Sequence, residues 1–205
     1  MKEPIVVLGA GGFARQMISL VQDINAVEAQ YDVIGFLAPE TPPEPIPLPI
    51  LGIDEKLREI TARYVIGIGI PHVRANLDEF AHRVGRDTVT LIHPQSNIEI
   101  DVYLDPGCVI LPGARLQTGT SLGRHVLVNA NAVVGHDCHV ADHVVLSPSS
   151  VVAGNAWIGE RTFIGAGAVV LPGRKIGDDV TIGAGAVVTK DVPPGACAMG
   201  VPARW

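Results

Sequence analysis

Hydrophobic and polar positions divide this chain into two regimes. From Ile92 to Val188 an aliphatic residue recurs at every sixth position, 17 times, with no residue inserted or lost. The column begins Ile92, Ile98, Leu104 and Ile110 and ends Ile176, Ile182 and Val188. With Ile92 as position one of each hexad, position five is nearly always small or β-branched, as at Cys108, Ala114, Thr120, Ala132, Ser150 and Ala168. Position two is Gly at 123, 135, 159, 165, 177 and 183, a placement that predicts tight corners. A short fixed period of this kind predicts a parallel β-helix, whose turns must stack because none can bury its apolar face alone. Three hexads should make one coil of eighteen residues. Adjacent coils would then lie about 4.8 Å apart, the inter-strand spacing.

The first ninety residues follow a different pattern. Ile5-Val6-Val7-Leu8 reads as a buried strand entering the turn Gly9-Ala10-Gly11-Gly12. Phe13 to Val27 has helical spacing, with Phe13, Met17, Leu20, Val21 and Ile24 on one side. Further strands are predicted at Val33–Leu37 and Tyr64–Ile68, and helices at Leu57–Ile60 and Asn76–Arg83. Alternating strands and helices predict βαβ units on a small parallel sheet, a Rossmann-like α/β domain over residues 1–90 followed by the β-helix over residues 91–205. The proline-rich stretch from Pro39 to Pro49 predicts a stiff extended loop.

Composition narrows the function classes. The net charge is −6 and no Lys/Arg block occurs, so the basic footprint of a nucleic-acid binder is absent. No apolar run approaches the ~20 residues of a membrane span, and Met1-Lys2-Glu3-Pro4 carries no signal-peptide pattern. Cys108, Cys138 and Cys197 are odd in number and lack CxxC spacing, which points to buried thiols in a reducing compartment and a cytoplasmic protein.

Gly9-Ala10-Gly11-Gly12-Phe13-Ala14 has the form G-x-G-x-x-G/A after a strand and before a helix, where free backbone N–H groups can hold phosphate. The second strand ends in Leu37-Ala38-Pro39, without an acid for a ribose, and the unit is about half the size of a dinucleotide-binding domain, both of which argue against NAD. A nucleotide-linked ligand and a purely structural turn remain as readings of these glycines.

Within the repeat, Val134-Gly135-His136-Asp137-Cys138 places an imidazole beside a carboxylate at an outward-facing step. An imidazole titrating near neutrality suits general-base work, and an adjacent carboxylate can fix its tautomer. Adding one eighteen-residue coil to His136 reaches Gly154, which should lie about 5 Å above it and admit a ligand to its backbone N–H. Asp137 plus one coil is Asn155, which suggests a polar ladder. His125, His139 and His143 read as surface residues. Some β-helices of this repeat hold zinc through three His, partly as a His-x4-His pair; no such pair occurs here, His139-x3-His143 being the nearest spacing, so no metal is expected.

Ile164-Gly165-Ala166-Gly167-Ala168-Val169, its counterpart Ile182 to Val187 and the tail Gly200-Val201-Pro202-Ala203-Arg204 resemble the hexapeptide-repeat acyltransferases. Together with the Gly-rich N-terminal unit, Ile66-Gly67-Ile68-Gly69 and Ile92-His93-Pro94, the chain resembles sugar acetyltransferases of the NeuD/PglD group, which act in sialic-acid and bacillosamine biosynthesis. The resemblance implies that the β-helix is left-handed. It implies a homotrimer binding acetyl-CoA between subunits and a nucleotide-linked sugar on the N-terminal domain. It implies His136 as general base, Asp137 as its orienter and Gly154 as oxyanion donor. Gly9, Gly11, Gly12, Phe13, Ala38 and Asn129 would then contact the acceptor. Gly154, Gly165, Ala166, Gly183 and Ala184 would hold the pantetheine arm, with adenine near Val201, Pro202 and Arg204. The implied reaction is N-acetylation of a nucleotide-linked amino sugar. Sialic-acid-type O-acetylation and a non-catalytic scaffold are the alternatives. The chain departs from the group at Phe13, where His is usual, at Ala38-Pro39, where two acids are usual, and at Val145, where many members carry a second His.

Overall fold

The computed structural model describes residues 2–205. Strands β1 (Glu3–Leu8), β2 (Tyr31–Leu37), β3 (Ile50–Gly52) and β4 (Arg63–Ile66) form one parallel sheet in the order β3-β2-β1-β4. β1 lies inside it with Ile5 to Leu8 fully buried, which explains the unbroken apolar run. Helix α1 (Gly12–Val27) buries Ala14, Met17, Leu20, Val21 and Ile24, the expected stripe. Helix α2 (Pro71–Arg83) starts earlier than its apolar spacing predicts, because Pro71 occupies its first turn, where no backbone donor is needed. The helix expected at Leu57–Ile60 is instead a 3-10 turn over Asp54–Arg58, and the third predicted strand stops at Ile66. β3 went unforeseen, since only three residues after the proline-rich loop pair with β2.

From Leu91 onward the chain winds as a left-handed parallel β-helix. Two-residue strands stack into three flat faces, with every pairing eighteen residues apart up to the final strand. Face one carries Leu91, Val109, Leu127, Val145 and Phe163 outward. Face two carries Arg115, Val133, Val151, Val169 and Val187 outward. Face three carries Tyr103, Ser121, His139, Trp157 and Lys175. Position one is buried at every hexad from Ile110 to Val188, and position five points inward beside it. The first coil is open at its end, leaving Ile92 38% exposed, whereas Ala203 plugs the far end at 1%.

The tight corners fall at position four and not at position two. Every position-four residue from Asp101 to Gly185 has a left-handed φ, between 52° and 85°. The position-two glycines meet a different need: a Cβ on Gly135 would lie 2.5 Å from the Gly154 nitrogen, so they let successive coils stack.

The N-terminal unit covers face one. Ile5, Val7, Met17 and Phe36 share one buried cluster with Val109, Leu127 and Val145. That contact also corrects the surface reading of two histidines: His125 is fully buried and His143 is mostly buried under α2. His139 stays at the surface, on face three, where it packs on Trp157 with ring centroids 3.9 Å apart. Conversely Cys197 is exposed, while Cys108 and Cys138 are buried as expected. Burial pushes the Cys108 thiol up to about 12 and raises Cys138, so both stay protonated and inert near neutrality.

Candidate active site

The corner between faces two and three holds the reactive pair. Asp137 occupies the left-handed position, φ 55°, and this turns its carboxylate back toward the preceding residue. His136 Nδ1 lies 2.8 Å from Asp137 Oδ2. The carboxylate accepts from Nδ1–H, so the lone pair is left on Nε2. Gly119, one coil below, makes room: a Cβ there would lie 2.5 Å from Asp137 Oδ1. The His136 backbone N–H donates to Gln117 Oε1 at 3.1 Å, which ties this step to the coil beneath. Both side chains are more than half exposed, 53% and 60%, on an open surface.

Gly154 stands over the imidazole as the eighteen-residue spacing predicts. A Cβ on Gly154 would lie 2.5 Å from His136 Nε2, so only glycine leaves the ring in place. Position-three N–H groups lie outside the backbone ladder, and side chains satisfy several of them: Gln117 at His136, Asp142 at Arg124 and Asp178 at Glu160. Among the described residues, the Gly154 N–H finds no acceptor. A free donor beside the base nitrogen is the arrangement that stabilises developing negative charge on a carbonyl oxygen. Asn155 lies one coil above Asp137 but the two side chains are not hydrogen-bonded; the Asn155 N–H donates to His136 O at 2.8 Å.

The other expected contacts lie elsewhere. Asn129 sits at the corner between faces one and two, with its Oδ1 accepting the Ala130 N–H at 2.9 Å. It lines a cavity of about 340 Å³ between α1 and the β-helix, together with Gln16, Ser19, Asp23 and His93. His93, which the sequence reading noted only as part of a motif, lines this cavity. Its Nδ1 accepts the Gln95 N–H at 3.0 Å, so Nε2–H donates to Asp23 Oδ2, also at 3.0 Å. Gly165, Ala166, Gly183 and Ala184 stack at that same corner, above Asn129. Val201, Pro202 and Arg204 are exposed at the far end, where Met199 and Arg204 exchange backbone hydrogen bonds. Of the residues expected on the coils of the β-helix, one chain therefore carries two groups, on opposite edges of face two.

On the N-terminal unit, Gly9, φ 98°, turns the chain tightly against Ile68. Gly11 faces empty space at the start of α1, Gly12 lies beside the Arg15 guanidinium, and no side chain caps the helix. Phe13 packs into the cluster between the two units. Ala38 is 8% exposed and its N–H donates to Gly52 O. Neither side chain offers a polar contact. Val145 is likewise walled into that cluster at 2% exposure. Among the described residues no group of three or more His, Cys, Asp or Glu is placed to hold a metal ion.

Residues 4–79 match the PglD N-terminal domain, and residues 119–154 and 155–190 match the bacterial transferase hexapeptide repeat. GDP-perosamine N-acetyltransferase of Escherichia coli O157:H7 is 34% identical over 77 residues, which is 38% of this chain and 35% of that protein. PerB from Caulobacter crescentus, solved in complex with CoA and GDP-perosamine, is 32% identical, covers 98% of this chain and 96% of its own, and superposes with a TM-score of 0.91. The acetyltransferase domain of PglB from Neisseria gonorrhoeae, in complex with acetyl coenzyme A, is 29% identical over 100% of this chain and 99% of its own, with a TM-score of 0.90. On these full-length likenesses and both domain matches, the chain belongs to the NeuD/PglD family of hexapeptide-repeat sugar acetyltransferases.

Proposed function

We propose that the protein transfers the acetyl group of acetyl-CoA to the amino group of a nucleotide-linked amino sugar, at sites completed between the subunits of a homotrimer. The observation that carries this reading is the division of the site between the two edges of face two. His136, Asp137 and Gly154 lie on one edge, and Asn129, Gly165, Ala166, Gly183 and Ala184 on the other. Between them Val133, Val151, Val169 and Val187 point outward and are only partly covered. In a threefold ring with this face turned to the axis, each catalytic edge meets the opposite edge of the next subunit. The valines are then buried, and base, oxyanion donor, acceptor contact and pantetheine groove converge.

The chemistry follows from the dyad. The neutral sugar amine attacks the thioester carbonyl, forming the C–N bond, and His136 Nε2 takes the amine proton. Asp137 stabilises the resulting imidazolium through Nδ1–H. The Gly154 N–H donates to the oxyanion. When the tetrahedral species collapses, the C–S bond breaks and the imidazolium returns its proton to the departing thiolate. No covalent enzyme intermediate is required. CoA and GDP-perosamine bound to the Caulobacter relative support both ligand classes. With Phe13 and Ala38 apolar here, the nucleotide is held chiefly through the backbone at Gly9, Gly11 and Gly12. We place the reaction in the cytoplasm, in polysaccharide biosynthesis; three free thiols accord with a reducing compartment.

Subunit mixing tests the reading. His136→Ala and Asn129→Ala homotrimers should each be nearly inactive with acetyl-CoA and GDP-perosamine, assayed by thiol release. Dissociated and reassembled together, about one quarter of the interfaces regain both intact edges and activity returns. A site contained within one chain would give no recovery. No turnover by the wild type across a panel of nucleotide amino sugars would sink the enzymatic reading.

A further inference from the structure

Helix α2 lies over the third corner of the β-helix, and the seam between them is polar. Arg74 is at its centre, fully buried. Its NH1 donates to the carbonyls of Ile66 at 3.1 Å and Ile68 at 2.8 Å, within the N-terminal unit. Its Nε and NH2 donate to the His125 carbonyl at 3.0 and 2.8 Å, on the β-helix. Burial lowers the guanidinium to about 10, so it remains charged near neutrality. One rigid, planar cation thus joins both units through backbone carbonyls alone.

Each side of that joint is itself fixed. On the β-helix side, the His125 ring is backed by Gly107, and its Nε2 lies 3.0 Å from Asp78 Oδ1 and 3.2 Å from Tyr64 Oη. Asp78 also accepts from Tyr64 Oη, Arg124 NH2 and His143 Nε2, at 2.9, 2.7 and 2.9 Å. On the other side, Ile66 to Ile70 is the segment leaving β4. The Gly67 N–H donates to Leu8 O at 2.8 Å, and a Cβ on Gly9 would collide with Ile68 at 2.7 Å. This segment and the Gly9 turn form one packed layer, with Gly11 and Gly69 facing open space. That layer is the carboxyl edge of a parallel sheet, where open α/β sheets take their ligands.

We infer that Arg74 is a positioning residue: it locks the ligand edge of the N-terminal unit at a set height on the β-helix, so that a bound acceptor is presented in register with the catalytic corner. This rests on the acetyltransferase reading above. Stability alone does not call for a buried cation, since apolar residues of similar volume commonly serve as well or better in such places. Four bonds from a single plane to three carbonyls define an orientation, which an apolar contact does not.

The test compares Arg74→Lys, which keeps the charge and loses the fork, with Ile176→Val, which weakens the β-helix core away from the seam. With GDP-perosamine as probe, Arg74→Lys should lower kcat/KM for the acceptor about 10-fold or more. The Kd for acetyl-CoA should stay within about twofold, because its groove lies on the β-helix. Amide exchange at Gly67 to Ile70 should quicken in the same variant. Ile176→Val should lower the melting temperature and leave the acceptor terms unchanged. Equal losses for both substrates, or losses that track melting temperature across the two variants, would overturn the inference. Were the wild type inactive with every acceptor, the exchange data would still decide: unchanged exchange at Gly67 to Ile70 in Arg74→Lys removes the lock.

Discussion

An alanine at position 154 would place its Cβ 2.5 Å from His136 Nε2. The ring is more than half exposed and free to swing aside, so Gly154→Ala should fold normally while displacing the proposed base from the Gly154 N–H. We expect kcat to fall about 100-fold with the melting temperature unchanged, as read by thiol release beside calorimetry. A loss of fold in place of a loss of rate would contradict this picture. Ser150 gives the opposite case. Its hydroxyl is fully buried inside the β-helix without a hydrogen-bond partner, in a column where Ala132, Ala168 and Ala186 occupy the equivalent place. Ser150→Ala should therefore stabilise the protein by about 1 kcal/mol in urea unfolding, by removing an unpaid desolvation cost. The His136–Asp137 pair was legible at this scale because it breaks an otherwise bland repeat, and the coil length alone placed Gly154 over the imidazole. His93 was not, since nothing in its local sequence reveals Asp23, which reaches it from α1.

At the scale of elements, the repeat sets every coil, and its period was readable without any structure. What the period did not convey is which step of the hexad turns the corner. Position four must adopt a left-handed φ, and Asn, Asp, His, Ser and Arg fill it as well as Gly. The seam under α2 was also hidden, because contact between elements far apart in sequence leaves no periodic trace. Its pH dependence follows from burial. His125 is held below its ordinary value by desolvation, with Asp78 pulling the other way and Arg74 and His143 adding to the depression. A depressed folded value means that the unfolded chain binds the proton first. Stability from this group is therefore fully present above about pH 6.5 and lost as pH falls through the folded value. Asp78, lowered chiefly by hydrogen bonds from His125, His143 and Arg124 against the cost of burial, adds a second loss only below about pH 4. Urea midpoints measured from pH 8 to 5 should decline in the wild type and flatten in His125→Gln. A parallel decline in both would assign the acid sensitivity to other groups.

For the whole molecule, the three faces have three fates. Face one is covered by the N-terminal unit, face three carries His139, Trp157 and Lys175 in solvent, and face two presents its valines. With face two as the proposed subunit interface, Val169→Lys should give monomers by light scattering and abolish transfer, while each chain keeps its fold by circular dichroism. An active monomer would refute the shared site. The two-unit plan was visible in the sequence as a change of period near residue 91, but the loss of polar side chains at Phe13, Ala38 and Val145 took on meaning only with the fold. Those positions face the joint between the units, so apolar residues there add to its packing.

The unbroken spacing from Ile92 to Val188 has a consequence for how such a chain can change. Removing one residue from any coil would rotate all later side chains out of phase, sending the aliphatic column to the surface. Removing or adding a whole coil would preserve the phase and shift everything beyond it by about 4.8 Å along the axis. Separation along the axis between the catalytic corner and the far end of the β-helix is thus adjustable only in whole coils, as on a ratchet. Under the proposed placement of acetyl-CoA, cofactor length and enzyme length must be matched in those discrete steps.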